Sequence, residues 1–528
     1  MQPPSSLDRR GFLRRGLQLG AVATGAILAP ALLEGCANPR ERAFSTTTTV
    51  LEPATAVQWD ALGRSLTGQL VQPADPGYGV DRLLYNSKFA DLHPRAIALC
   101  ATSADVMRCV EFARSHVVRV AVRSGGHSYG GYSSGSGLVI DVGALNQIVV
   151  DPRANTATVG AGAQLIDVYN ALARYQRLLP SGSCPTVGIA GLALGGGIGV
   201  FGRKYGLTSD NLRSATFVTA DADLITASDA SHHDLLWASQ GGGGGNFAIA
   251  TSMVFDVHLT PSLALFTLHY PWSAATTALD AWQHWIGGTP DELWSNFLLL
   301  SQGTSGLLVE ISGVLCGSEV ELSSLVNLLI ASIGAPAYQF VGSDDYLSAM
   351  RAEAGCSNLT VAACHLSAPG LHGVLSRSAF SAKSSYVTST MSAPRVRQFV
   401  DAVSELSTQA PTLGGALAFD AYGGAINRIA AEQTAFVHRD KLAGIQATFS
   451  WSSSTSPSAR AAGQDWLTWL GSSVLDPSAG AYQNYIDPTL SNWLEAYYGT
   501  NLTRLSEVKR TYDPEDFFSF AQSIPVAP

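Results

Sequence analysis

Apolar and polar positions along the chain change period several times, and each change predicts an element. Residues 54–70 carry a helical pattern, and residues 93–100 read as a strand. Ser103 then caps a helix whose apolar positions are Val106, Val110 and Phe112, ending near Ser115. The apolar run 117–122 reads as the next strand, which makes a β-α-β unit. Residues 138–142 and 156–159 read as further strands and 164–175 as a helix. Between Thr216 and Ala227, two apolar runs flank Asp221 and Asp223, the pattern of a hairpin. From residue 263 to 455 the character shifts. Short alternations at 297–300 and 307–314 read as strands of a second sheet, and helices are expected at 318–333 and 393–406. The mixture is an α+β fold.

The first 53 residues carry a different message. Asp8-Arg9-Arg10-Gly11-Phe12-Leu13 matches a twin-arginine export signal, and a moderately apolar run follows over 17–33. That run is short and broken by Gly and Pro, which suits removal or transit better than a permanent span. Leu33-Glu34-Gly35-Cys36 looks like a lipobox, with Cys36 as a lipid anchor, although Glu34 is unusual there. Cleavage after Ala29-Pro30-Ala31 is the rival. The expected layout is a signal over 1–36, a linker over 37–53, then units at 54–262, 263–455 and 456–528. The twin-arginine export machinery is thus an expected partner, and the periplasm or the outside of the cell the expected location.

Composition narrows the class. A chain of 528 residues that is 46% hydrophobic can bury a large core. Its net charge of −9 offers no basic stripe to nucleic acid. None of the seven cysteines shows C-x-x-C spacing, so no zinc site and no other metal is expected. Disulfide connectivity stays open.

Chemistry concentrates in two stretches. In Val122-Arg123-Ser124-Gly125-Gly126-His127-Ser128-Tyr129, a tight turn follows an apolar run. Successive N–H groups there form a nest suited to a diphosphate, with an exposed imidazole at its tip. The second stretch is Gly182-Ser183-Cys184-Pro185-Thr186-Val187-Gly188, followed by the glycine-rich run 191–202. Within that run, Gly197-Ile198-Gly199-Val200-Phe201-Gly202 fits G-x-G-x-x-G, with acidic residues about twenty positions on. A nicotinamide-binding reading fails because no strand precedes the motif and the acidic residues sit in the hairpin turn. Five glycines, 241–245, precede Asn246-Phe247 and permit close backbone approach to a ligand.

These motifs resemble the flavoenzymes of the vanillyl-alcohol oxidase and p-cresol methylhydroxylase (PCMH) superfamily, most closely the berberine bridge enzyme-like branch. Asp420 to Arg428, Phe436 to Arg439, Gln446, Tyr482-Gln483-Asn484-Tyr485 and the ending near 518–524 extend the likeness. The resemblance implies a two-part PCMH-type FAD-binding domain, a substrate domain with a large antiparallel sheet, and a C-terminal return to the first domain. It implies FAD bonded to His127 at the flavin 8α-methyl and to Cys184 at flavin C6. It also implies a cofactor cradle of Arg123, Ser124, Gly125, Gly126, Ser128, Tyr129, Val187, Gly188, Gly191, Gly197, Gly199, Gly245, Asn246 and Asn484.

The same resemblance makes Tyr485 the base for a substrate O–H. A phenol titrates at about 10, and burial alone would make it a worse base. Asp420 resembles a carboxylate that partners this tyrosine in oligosaccharide oxidases. Gln446 stands where berberine bridge enzyme has Glu, so ring closure is not expected and Gln446 would orient a hydroxyl. Tyr482 is expected to line the sugar or aryl site. Ile198 and Gly444 replace a Tyr and a Lys of plant alcohol-oxidising members, so their way of activating the base cannot be copied. Val187 matches the oxygen-reactive pattern. The expectation is an exported bicovalent FAD oxidase that acts on a small-molecule CH–OH group, a sugar hemiacetal or another alcohol, and passes electrons to dioxygen. The alternatives are a tailoring oxidase or dehydrogenase of a glycosylated or aromatic natural product, and a flavin carrier without useful turnover.

Overall fold

The computed structural model describes residues 54–368 and 372–527. The export signal, the lipobox at Cys36 and the linker all lie outside the described residues.

The chain opens with a helix, Ala56–Ser65, rather than one helix to residue 70. Strand β1 (Gln69–Val71) follows at once. Gly68 permits this, since a Cβ there would fall 1.9 Å from the Leu99 carbonyl oxygen of the neighbouring strand. The first sheet has the order β1-β2-β4-β3, with β2 (Ala96–Leu99), β3 (Val120–Arg123) and β4 (Leu138–Asp141) parallel and β1 antiparallel at the edge. The helix Ser103–Ser115 crosses between β2 and β3. Its cap is Thr102, not Ser103. The Thr102 hydroxyl accepts from Asp105 N at 3.1 Å, and the Asp105 carboxylate accepts from Thr102 N at 3.2 Å. Strand β3 starts later than residue 117 because Val117 takes a left-handed turn, φ 50°.

The second sheet comprises β5 (Ile148–Asp151), β6 (Thr156–Gly160), β8 (Leu212–Val218), β9 (Leu224–Ser228) and β10 (Ile249–Asp256), in the order β5-β6-β10-β8-β9. Strands β8 and β9 form the expected hairpin, with Asp221 and Asp223 exposed in its turn. A two-residue ribbon, β7 (Arg177–Leu178) with β11 (His258–Leu259), closes one end.

The third sheet is antiparallel throughout. It joins β12 (Leu263–Pro271), β13 (Leu293–Gln302), β14 (Leu307–Cys316), β15 (Tyr338–Asp344), β16 (Ala379–Val387), β17 (Gly414–Ala421) and β18 (Ala443–Trp451) in the order β15-β12-β14-β13-β17-β18-β16. One face carries the helices Ala275–Gly288 and Ala393–Gln409. Trp282, on the buried side of the first of these, donates its indole N–H to Ser295 Oγ on β13 at 3.0 Å. The opposite face turns towards the first two sheets, so nine of the ten residues of β13 are buried. Behind this arrangement, Lys509 is fully buried. Its ammonium pairs with Asp513 at 2.6 Å and donates to the carbonyls of Asn246 and Phe518, each at 2.8 Å. The C-terminal segment is thereby stitched to the loop after the five glycines. Among the described residues, one disulfide joins Cys356 to Cys364, while Cys100, Cys109, Cys184 and Cys316 are free thiols.

Candidate active site

Strand β3 delivers the chain directly into the histidine turn. Arg123, its last residue, donates through Nε to the Asp141 carboxylate on β4 and so fixes the start of the turn. Gly126 takes φ 68°, which a side chain would resist. A Cβ on Gly125 would lie 2.2 Å from Gly188 N, so only bare backbone lets the two motif loops touch. His127 lies half-buried rather than exposed at a tip. It stacks on Tyr85 at 4.0 Å, and its Nε2 lies 2.9 Å from Thr186 Oγ1, two residues beyond Cys184. The histidine loop and the cysteine loop are thus laced into one wall.

That wall bounds a cavity of about 540 Å³. Ser124, Gly125, Gly126, His127, Ser128 and Tyr129 line it from the first loop, and Cys184, Val187, Gly188, Gly191 and Gly199 from the second. Gly245 and Asn484 complete this side. At Gly191 an added Cβ would meet no atom within 4 Å, so backbone lies open to the cavity there. Three expected cradle residues stand back from it. Arg123 braces β3. Gly197, φ 84°, donates its N–H to Tyr482. Asn246 is fully buried, donating to the Gly242 carbonyl at 3.1 Å and accepting from Ile524 N at 2.9 Å.

The facing wall is the third sheet, which brings Asp420 and Gln446 to the cavity, while Tyr482 and Tyr485 enter from a short turn, Gln483–Tyr485. Gln446 Nε2 donates to the Tyr129 hydroxyl at 2.7 Å, and the Tyr129 ring stacks on Tyr485 at 5.3 Å. Tyr129 therefore stands at the junction of the two walls, beside Tyr485 and Gln446 as well as on the histidine loop. Tyr482 packs edge-on to Tyr485 at 4.9 Å. Its hydroxyl accepts from Gly197 N at 2.8 Å and Ile198 N at 3.3 Å in the glycine loop and from Asn484 Nδ2 at 2.9 Å. Burial pushes this phenol up, and those N–H bonds pull against the shift. Gly444 pairs with Asp420 across β17 and β18, and a Cβ there would lie 2.9 Å from the Tyr422 ring. Tyr422 fills the space a lysine would need. Burial raises both the Tyr422 and Tyr386 phenols well above their ordinary value, so they stay neutral.

Sequence reasoning overlooked several lining residues: Trp294, Leu298, Glu310, Phe380, Thr448 and Ser450. For two of them a signal existed, since Thr448 and Ser450 follow Gln446 at the two-residue period of a strand.

Family models match in two places: a FAD binding domain over residues 94–228, and a berberine and berberine like domain over 481–525. The FAD-linked oxidoreductase YgaK of Bacillus subtilis is 33% identical over 465 residues, 87% of this chain and 97% of its own. The chain belongs to the berberine bridge enzyme-like FAD-linked oxidoreductases. Glucooligosaccharide oxidase of Sarocladium strictum, another relative, is 29% identical over 478 residues, 85% of this chain and 91% of its own. Among solved structures, BBE-like 1 of Physcomitrella patens superposes with a TM-score of 0.80 at 29% identity, covering 89% of this chain and 99% of that one. Chitooligosaccharide oxidase gives 0.79 at 26% identity, covering 89% and 100%. The expected α+β fold with antiparallel sheets holds, and the chain is a FAD-dependent oxidoreductase. Its residues fit the cofactor: a cavity of drug-ligand dimensions, backbone open to it at Gly191, and both an imidazole and a thiol on one wall.

Proposed function

We propose that this berberine bridge enzyme-like protein is a bicovalent FAD oxidase of a CH–OH group, with oligosaccharide hemiacetals as the favoured substrates and dioxygen as the acceptor. The carrying observation is that His127 and Cys184 line the same cavity as Tyr485, Asp420 and Gln446. FAD held there would take the substrate's hydride and return both electrons to dioxygen as hydrogen peroxide.

The chain's own residues do the rest. Tyr485 takes the hydroxyl proton of the substrate as its own phenol proton passes to the Asp420 carboxylate, which lines the same cavity. Gln446 fixes the Tyr129 hydroxyl, which with the stacked ring holds Tyr485 in one orientation. Val187, three residues past Cys184, keeps that wall uncrowded for dioxygen. Oligosaccharide oxidases acting on gluco-, xylo- and chitooligosaccharides are among the relatives, which supports this substrate class. Export through the twin-arginine route, with Cys36 lipidated, places the enzyme outside the cytoplasm. A Cys36→Ser variant released from membranes into the soluble fraction would support that placement, and an unchanged distribution would refute the anchor.

One observation favours a second reading, oxidation of an aromatic or glycosylated natural product. Leu298, Leu300, Ala416 and Ala418 form an apolar floor to the cavity. The (R)-6-hydroxynicotine oxidase of Paenarthrobacter nicotinovorans, 27% identical, is a relative. A screen of peroxide release across sugars, oligosaccharides and aryl alcohols decides between them. Turnover confined to aryl alcohols would contradict the saccharide reading.

A further inference from the structure

The strand register of the third sheet sets up a transverse row of side chains on its cavity face. Glu310 on β14 pairs with Leu298 on β13, Leu298 with Ala418 on β17, and Ala418 with Gln446 on β18. On the other side of Glu310 the row continues to His269 on β12. Paired residues of adjacent strands share a face. Gln446 stands on the Tyr485 side of the row, which ends one strand further at Ser384 on β16. Glu310 marks the far end of the cavity, three strand spacings away, or about 14 Å. Between them lie only Leu298 and Ala418, flanked by Leu300 and Ala416 one row along, and this group packs with itself rather than with the main core.

Glu310 brings a carboxylate onto this otherwise apolar stretch of the cavity wall. Its side chain is 6% exposed, yet it lines the cavity. A buried carboxylate is retained at a cost that a hydrogen-bonding partner must offset. His269 Nε2 meets one carboxylate oxygen, Oε2, at 3.1 Å, which fixes the plane of the group. His269 is itself steadied by the Tyr338 ring at 4.9 Å.

We propose that Glu310, positioned by His269, is a distal specificity residue: it accepts hydrogen bonds from hydroxyls of a second sugar ring while the first ring presents its reacting carbon near Tyr485. This rests on the saccharide reading of the site. Leu298, Leu300, Ala416 and Ala418 lie between the two polar ends and suit the C–H face of a pyranose. The separation from Gln446 to Glu310 exceeds one sugar ring, so a monosaccharide cannot engage both ends. Glu310 touches substrate but no reacting atom, and His269 acts through Glu310.

The test measures kcat/KM for glucose and for its dimers cellobiose, maltose and chitobiose, in flavin-loaded wild type and in Glu310→Gln. Wild type should prefer at least one dimer over glucose. In Glu310→Gln that preference should fall roughly tenfold or more, the scale of one hydrogen bond to a charged group, and the loss should appear in KM rather than kcat. His269→Ala should shift the same ratio in the same direction by less. It also serves as the working variant should Glu310→Gln load no flavin. General loosening of the fold would lower glucose and dimer turnover together and leave their ratio intact, which would overturn the proposal. So would a wild type that prefers glucose. A wild type that oxidises no saccharide would instead sink the parent reading, and the two failures are read from different arms.

Discussion

At the scale of single residues, the site divides into groups that touch reacting atoms and groups that hold them. In the proposed reaction Tyr485 belongs to the first. Tyr485→Phe should load flavin normally, yet anaerobic flavin reduction by substrate should slow by about 10²–10⁴-fold, read by stopped-flow absorbance. Reduction at the wild-type rate would remove Tyr485 from the chemistry. His438 lies in the packing behind the site. Burial, with the nearby Lys441 cation, pushes its imidazole down to about 3, and the ring packs at 4.4 Å from Tyr386. Because the folded value lies below the ordinary one of about 6.5, His438 adds stability fully above that pH and loses it as pH falls towards 3. The melting temperature should therefore drop between pH 6 and 4, and His438→Gln should flatten that slope. An unchanged slope would assign acid sensitivity to other groups. His127, Cys184 and Tyr485 were legible because their motifs place unusual residue types at fixed spacing. The half-burial of His127 was not, since Tyr85 and Thr186 come from other segments.

At the scale of elements, the sequence located helices by their periodicity and misjudged ends where a cap decides. The Ser103–Ser115 helix came out at its true length, but the capping hydroxyl is Thr102, one residue earlier. Asp105 explains why. Besides closing the capping box, it accepts from Thr67 N at 2.8 Å and Gly68 N at 3.1 Å, long-range contacts that no local pattern reveals. Burial opposes its charge, yet these N–H bonds hold the carboxyl below its ordinary value. Its contribution is therefore present above about pH 4 and lost as pH falls through the depressed folded value. Asp105→Asn should cost about 1–3 kcal/mol in urea unfolding at neutral pH, since several N–H bonds lose a charged acceptor. No loss would mean the junction is held elsewhere. Strand β13 shows the opposite limit. It reads as a short apolar run, 297–300, although it extends over Leu293–Gln302, because burial on both faces erases the two-residue alternation. By contrast β18 is solvent-free on one face only, and its alternation from Ala443 to Trp451 survives in the burial pattern.

At the scale of the whole molecule, the site exists only because distant segments meet. The loop after β3 supplies His127, and the loop between β7 and the helix Ile189–Leu194 supplies Cys184. The third sheet supplies Asp420 and Gln446, and the C-terminal turn supplies Tyr485. Lys509 and Asn246 lock that C-terminal segment against the loop that follows the five glycines. Motifs could name these residues in advance, but not Glu310, whose place opposite Gln446 depends on strand register across four strands. Tyr129 lines the cavity with the histidine loop and also touches Tyr485 and Gln446, contacts that its place in the sequence does not reveal.

Attachment of flavin at both His127 and Cys184 is the central claim. Intact-mass spectrometry of acid-denatured protein tests it most directly, comparing wild type with His127→Ala, Cys184→Ala and the double variant. The predicted result is a mass increment of one FAD in wild type and in each single variant, absent only in the double variant. Wild-type protein whose denatured chain carries no added mass, with all its yellow colour in the supernatant, would contradict it.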